Sequence, residues 1–217
     1  GKYRTAIKGA ALHSIGLGGD SHIRFTADDQ PLVGPQRVAP LAYLAHSYEH
    51  VRRQILGLRH RSVRDLSPND FIYWYRMAEP TPQVRQRHPM VASLISLLDD
   101  GPRSLQDLLR QLDLFHPIQF APAVHDLIRE EIIGIAGLTP TDLMHYTGSY
   151  TAWDTEAASA AVTAFCRLIA KTPQDLVEQV MSTITETIVR EVLSFLTKKQ
   201  MPERRRFQDS DFSWWFF

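Results

Sequence analysis

The sequence has one cysteine, no net charge and no long apolar run, and each shortage excludes something. Cys166 alone cannot build an internal disulfide framework, and it fits a reducing compartment. Its 24 Lys and Arg residues balance 24 Asp and Glu residues, so no global field draws the chain to nucleic acid or an acidic membrane. No apolar stretch approaches the ~20 residues that span a bilayer, and no signal peptide opens the chain. The expectation is a cytoplasmic globular protein with no nucleic-acid partner and no membrane partner. Its 217 residues, 44% of them hydrophobic, suffice for a core without a disulfide or metal, because a chain this long buries roughly 70% of its unfolded surface. Gly1 stands in the place of an initiator Met, which points to an excised or processed chain.

What is present divides into five parts. Residues 1–40 predict a small β element. Tyr3 to Leu12, Ser21 to Thr26 and Pro31 to Val33 are short extended runs, a glycine loop separates the first two, and His22-Ile23-Arg24-Phe25-Thr26 alternates like a half-buried strand. Gly34-Pro35 is expected to close this element as a turn. Residues 41–87 predict a helical connection. Leu41, Leu44, Ala45, Tyr48, Val51, Ile55 and Leu58 recur every three or four positions, as in one helix of about four turns. Ser67-Pro68-Asn69-Asp70 then starts a short helix around Phe71 to Met77, broken by Pro80 and Pro82.

Residues 88–137 predict three helices and a strand: Pro89 to Leu98, a helix capped by Ser104, one opening near Pro122, and Ile132 to Ala136. That succession is the outline of a winged helix-turn-helix. Residues 138–197 predict more helices. Thr139 is the N-cap of the first, with Pro140 at N1 and Asp142 at N3 completing a capping box, and Gly148 ends it. A second helix begins at Trp153-Asp154-Thr155-Glu156 and runs to about Lys171. Thr172-Pro173 opens a last one, whose stripe Leu176, Val180, Ile184, Ile188, Val192 and Leu196 needs a partner, the preceding helix being the obvious one. Residues 198–217 are a basic run followed by five aromatics in the last six positions, rings that either pack back on this chain or enter something else. The fold class expected is α+β, mainly α.

Few stretches carry chemistry. Gly16-Leu17-Gly18-Gly19-Asp20-Ser21 permits backbone N–H groups to close on a phosphate, and Asp or Ser can hold a metal-bound water. It is neither a dinucleotide fingerprint, since a strand follows, nor a Walker loop, since no Gly-Lys-Ser/Thr occurs; a plain glycine turn explains it equally well. His46-Ser47-Tyr48-Glu49-His50 matches H-x-x-E-H, a zinc-peptidase pattern, but lacks a third ligand and reads better as an exposed helix face. From His88 to Glu131 three basic residues stand against seven acidic ones, so the helix-turn-helix outline would repel a duplex. Cys166 reads as a small core residue. No nucleophilic triad assembles, and no catalytic residue is assigned.

Three stretches together resemble the hydantoinase A/5-oxoprolinase family. His13-Ser14-Ile15-Gly16-Leu17-Gly18-Gly19-Asp20-Ser21-His22-Ile23 is similar to that family's glycine-rich strand–loop–strand, and Leu32-Val33-Gly34-Pro35-Gln36-Arg37 to its V-G-P turn. Gly137-Leu138-Thr139-Pro140-Thr141-Asp142, with Leu143-Met144-His145 and Gly148 after it, resembles its L-T-P-T-D helix start, and the Ala-rich helix after Trp153-Asp154 continues the likeness. The resemblance implies a subunit of an ATP-dependent cyclic-amide hydrolase on an actin-like (ribonuclease-H-like) ATPase fold. ATP and Mg²⁺ would activate a hydantoin or 5-oxoproline, and a hydantoinase B-like subunit would assist ring opening. Gly16, Gly18, Gly19, Asp20 and Ser21 would lie near the terminal phosphates, with Asp20 in water-mediated contact with Mg²⁺.

The family's two D-x-G-G-T phosphate strands and its adenine-binding glycine motif are absent from these residues. The expectation is therefore an internal fragment, inactive alone and binding no nucleotide tightly, whose partner is the rest of the actin-like domain. A stand-alone relative that lost the chemistry is the alternative to a fragment. A helix-turn-helix binding module and an actin-like regulatory ATPase are the alternative functions.

Overall fold

The structure, a computed structural model, describes residues 14–26, 30–86 and 89–197. Strands β1 (Ser21–Phe25) and β2 (Pro31–Arg37) pair antiparallel, and β3 (Ala39–Pro40) leads directly into helices α1 (Leu41–Ser47) and α2 (Glu49–Leu58). A 3-10 turn at Pro68–Phe71 precedes β4 (Tyr73–Arg76). Helices α3 (Pro82–Gln86) and α4 (Pro89–Asp99), strand β5 (Arg103–Ser104), helices α5 (Leu105–Gln111) and α6 (Ala121–Arg129) and strand β6 (Ile133–Gly137) follow. Helices α7 (Pro140–Thr147), α8 (Thr155–Leu168) and α9 (Pro173–Thr197) complete the chain as described. The fold is α+β and mainly helical, as expected.

The second sheet sets the layers. Its order is β3-β6-β4-β5, with β3 parallel to β6 and the other pairs antiparallel. Side chains alternate across a strand, so its two faces serve two different cores. Tyr73 and its partner Ala136 face a core built from α1, α2, α7, α8 and the start of α9, with Leu41, Ile55, Leu143, Phe165 and Leu176. Trp74 and its partner Ile135 face the other core, built from α4, α5 and α6, with Leu94, Leu108 and Leu127. The Trp74 indole meets the Phe120 ring edge-on at 4.9 Å, while Phe71 meets Phe165 at 5.2 Å on the opposite side. Four short strands thus divide the two cores.

Local signals placed several boundaries. Ser104 caps α5 by accepting from the Asp107 N–H, and Asp154 caps α8 by accepting from Ala157. The capping box of Thr139 and Asp142 is present, and Gly148 ends α7 in the left-handed region at φ 76°.

Four expectations are corrected. The predicted single helix over Leu41 to Leu58 is two, because Tyr48 takes an extended conformation (φ −136°, ψ 106°) that turns α2 away from α1. His46 and His50 therefore do not share a helix face, and His50 Nε2 instead lies 2.9 Å from the Pro102 carbonyl oxygen. The predicted helix around Phe71 to Met77 is only the 3-10 turn, boxed by Ser67 and Asp70, after which Tyr73–Arg76 is a strand. Aromatic residues favour that pleated surface, and here alternate ones fill both cores.

Gly34-Pro35 does not close the β element but lies inside β2. From Ser21 to Ile23 β1 advances two residues while its partner advances four, from Arg37 to Val33, so the pair forms a bulge. Gly34 there has φ +68°, and a Cβ would come 2.9 Å from the Gly16 carbonyl oxygen. Finally, α8 is only part of the partner of α9, which packs on β2 as well. Leu176 and Val180 are fully buried, whereas Met181, Ile188, Val189 and Val192 are exposed. The expected strand over Tyr3 to Leu12 and the tail after Thr197 lie outside the described residues, and among those described no helix is long and apolar enough to cross a membrane.

Cys166 lies on α8 in the first core, 1% exposed, and burial with the Asp175 charge nearby pushes its thiol up to about 12. A disulfide reagent at mild alkaline pH is expected to leave the native protein unlabelled and to titrate one thiol in denaturant. Fast labelling of the native protein would contradict this packing.

Candidate functional site

The three resembling stretches meet at one end of β6. Ile23 of β1 donates its N–H to the Leu138 carbonyl at 2.8 Å, which docks the glycine loop beside the start of α7. The loop is a tight turn: Ser21 N–H donates to Gly18 O at 3.1 Å, and Gly18 N–H donates to Ser21 Oγ at 2.9 Å. The Gly19 carbonyl then accepts from both the N–H and the hydroxyl of Thr141, at 3.0 and 2.7 Å. A Cβ on Gly19 would come 2.7 Å from that hydroxyl, so the approach requires glycine. Gly16, at the other side of the loop, lies against Pro35.

Asp142 holds the frame under this loop. Its carboxylate is fully buried and accepts four hydrogen bonds: Leu41 N–H at 3.2 Å, Ala42 N–H at 2.7 Å, Thr139 N–H at 2.9 Å and Thr139 Oγ at 2.8 Å. The first two are open donors at the start of α1, which follows Pro40 and has no cap of its own. Burial pushes the Asp142 carboxyl up to about 6, although all four donors pull it down. The capping role read from sequence is thus half of what this side chain does. The other half comes from a hundred residues away and has no local signal.

Two buried histidines flank the frame. His145 on α7 donates from Nδ1 to the Thr141 carbonyl at 2.8 Å and accepts the Trp153 N–H on Nε2 at 3.1 Å, if the proton sits on Nδ1. Its ring stacks on Trp153 at 5.5 Å, with Tyr150 edge-on at 4.9 Å. His22 on β1 is 4% exposed. Burial, reinforced by the nearby Arg24 charge and only partly opposed by the Gln36 amide, lowers it to about 3, so it stays neutral.

Between the glycine loop, α7 and α9 lies a half-open cavity of about 750 Å³. Ile15, Leu17, Gly18 and Gly19 form one wall, Pro140, Leu143 and Met144 the floor, and Val177, Met181, Ile184 and Ile188 the far wall. Its polar edge is Thr147 and Ser149, and none of its lining side chains is charged. Of the five residues expected near phosphates, Gly18 and Gly19 line this cavity. Gly16 packs on Pro35, Ser21 is buried with its hydroxyl turned into the turn, and Asp20 points to Arg37, 2.6 Å away.

The donors at the start of α7 are taken by Gly19 O and Thr139. That helix end is not open to an anion. Asp20 is one carboxylate already paired with a cation, and among the described residues no group of three His, Cys, Asp or Glu side chains is placed to hold a metal ion. These residues by themselves do not fit Mg·ATP.

No family model, curated protein or solved structure matches the chain.

The two shifted groups oppose each other in pH. Asp142 holds its proton more tightly folded than unfolded, so its contribution to stability is full below pH 3.8 and is lost as pH rises through about 6. His22 is neutral when folded, so its contribution is full above pH 6.5 and is lost as pH falls toward about 3. From about pH 4 to about pH 6 the two slopes, each at most roughly 1.4 kcal/mol per pH unit, cancel. Urea denaturation of Asp142→Asn is expected to show stability rising across this window, and His22→Gln to show it falling, with wild type flatter than either. Three parallel profiles would show that neither group titrates as assigned.

Proposed function

We propose that this chain is an internal portion of an ATP-dependent hydrolase of cyclic amides of the hydantoinase/oxoprolinase type, inactive by itself and acting in the cytoplasm. One observation carries the reading. Stretches that resemble three family motifs, the third more than a hundred residues from the first two, converge here: Gly16 packs on Gly34-Pro35, and Gly19 is clasped by Thr141 of Leu-Thr-Pro-Thr-Asp. A chance likeness in scattered segments has no reason to assemble one contact.

In this reading the chain contributes scaffold to an actin-like ATPase domain. The glycine turn would lie at the edge of the nucleotide cleft, and ATP with Mg²⁺, held by the remaining parts of the domain, would supply the activation of the ring. The neighbouring apolar cavity carries no charge to hold phosphates, so cationic and carboxylate groups come from the remainder of the domain. Asp20 of the turn is paired with Arg37, so any contact it made with Mg²⁺ would be through water. A hydantoinase B-like subunit and a hydantoin- or 5-oxoproline-like substrate complete the reaction.

Residues 88–137 form a winged-helix-like insertion that serves as spacer or protein contact. The rival function, a DNA-binding module, is disfavoured by its charges. Arg103, Arg110 and Arg129 are ion-paired with Asp100, Asp107 and Asp126, so the few bases are neutralised locally and the surplus stays acidic.

The whole protein with its partner subunit is expected to hydrolyse ATP in step with a cyclic amide, while residues 1–217 alone show no turnover and no tight Mg·ATP binding by calorimetry. ATP turnover indifferent to a panel of cyclic amides would favour a regulatory actin-like ATPase instead. Tight Mg·ATP binding by this chain alone would end the fragment reading, and a salt-dependent gel shift would restore the DNA-binding one.

A further inference from the structure

We propose that the cavity between the glycine loop, α7 and α9 binds a small uncharged molecule with a hydrocarbon body and a hydrogen-bond donor at one end. The inference does not depend on the enzymatic reading. At about 750 Å³ the cavity is within the range that takes small-molecule ligands. Two of its sides are fixed by their own bonding. Gly18 and Gly19 present bare backbone in a turn that Ser21 closes and Thr141 clasps, and Pro140 and Leu143 belong to the boxed start of α7. The third side, on α9, supplies Met181 and Ile188, both about half exposed. A preformed wall facing a flexible thioether suits a hydrocarbon body of variable outline.

The polar edge decides the class of ligand. The Thr147 hydroxyl donates its one proton to the Met144 carbonyl at 3.1 Å. In the 2.8 Å contact between Thr147 Oγ1 and Ser149 Oγ, Ser149 is therefore the donor. Both hydroxyl protons are used within the protein, and what these two oxygens have left is lone pairs. A ligand group at this edge must donate, as an alcohol or an amide N–H does.

Charge narrows the class further. A carboxylate, phosphate or sulfonate would set its oxygens against those of Thr147 and Ser149, and no lining side chain is a cation. An ammonium would meet acceptors but no carboxylate. Either ion would lose its water without gaining a counter-charge, a penalty that a neutral donor escapes. The ligand thus lies with its hydrocarbon toward Leu143 and Ile184 and its donor at Ser149.

The test uses the full 217-residue chain and N-phenyl-1-naphthylamine, a neutral probe with one N–H whose fluorescence rises in apolar surroundings. Binding is expected to saturate at one probe per chain. 1-Octanol is expected to displace the probe, with affinity rising about three- to fourfold per methylene from 1-hexanol upward. Octanoate at neutral pH is expected to compete at least roughly tenfold more weakly than 1-octanol. Met181→Trp fills the cavity from an exposed position, and should weaken probe binding roughly tenfold while leaving the helical circular dichroism unchanged. Met181→Lys supplies the missing cation and should make octanoate the better competitor. In Thr147→Val/Ser149→Ala the preference for 1-octanol over its methyl ether should fall about fivefold, the worth of one hydrogen bond. No saturable binding, binding indifferent to Met181→Trp, or octanoate competing as well as 1-octanol in the wild type would overturn the proposal. Probe affinity that falls as protein concentration rises would do so too, and would assign the cavity to a second copy.

Discussion

Helix α1 follows Pro40, which has no side chain able to cap it, and its open N–H groups are met by Asp142 from the first turn of α7. One carboxylate thereby fixes two helix starts at the same point, where β3 and β6, the parallel pair of the sheet, both end. Negative charge is favoured at a helix N-terminus, and here two such ends share one charge. An unpaired buried donor costs about 1–3 kcal/mol, so the four donors on Asp142 together represent a sum comparable with the net stability of a whole domain. The glycine loop inherits its position from this joint. Thr141, between Pro140 and Asp142, has its N–H and hydroxyl aimed at Gly19 only because the first turn of α7 is held in place.

That dependence explains what sequence made legible and what it hid. The caps at Ser104, Thr139 and Asp154 and the left-handed stop at Gly148 are governed by residues within four positions, and each was readable where it stood. The break at Tyr48 was not, because the apolar spacing runs through it unbroken. What distinguishes α2 is Arg52, held at 2.6 Å by Asp154 and at 2.7 Å by Glu156, ion pairs from the far side of the sequence. Tyr73 to Arg76 looked helical only by following a true helix-start signal; the strand exists because two cores need a divider, and one strand presents Tyr73 to one and Trp74 to the other. Gly34-Pro35 has turn chemistry and uses it, but as a bulge inside β2. At the site, the glycine stretch and Leu-Thr-Pro-Thr-Asp were both visible, and their contact was not. The cavity had no signal at all, since its walls are ordinary aliphatic residues drawn from three elements.

The burial of His22 and Asp142 close to the same strand ends has an electrostatic logic. A buried base kept neutral and a buried acid kept partly protonated shift in opposite directions for the same reason, the cost of charge away from water. Each alone would tilt stability with pH across mildly acidic conditions. Side by side they flatten it. The offset holds only between about pH 4 and about pH 6; below that window the loss from His22 is uncompensated.

The distribution of polar groups also limits what this chain brings to a nucleotide. Its one helix start beside the glycine loop has spent its donors on Gly19 and Thr139, its loop serine faces inward, and its loop aspartate is neutralised by Arg37. The surface that remains next to the loop is apolar. Phosphates are stabilised by fixed donors and cations, and apolar walls by contrast exclude water and receive carbon. Under the proposed function, a nucleotide at the edge of this loop would have to take its charge neutralisation from a facing element, because the present residues set the position of one turn of backbone and leave an apolar recess beside it.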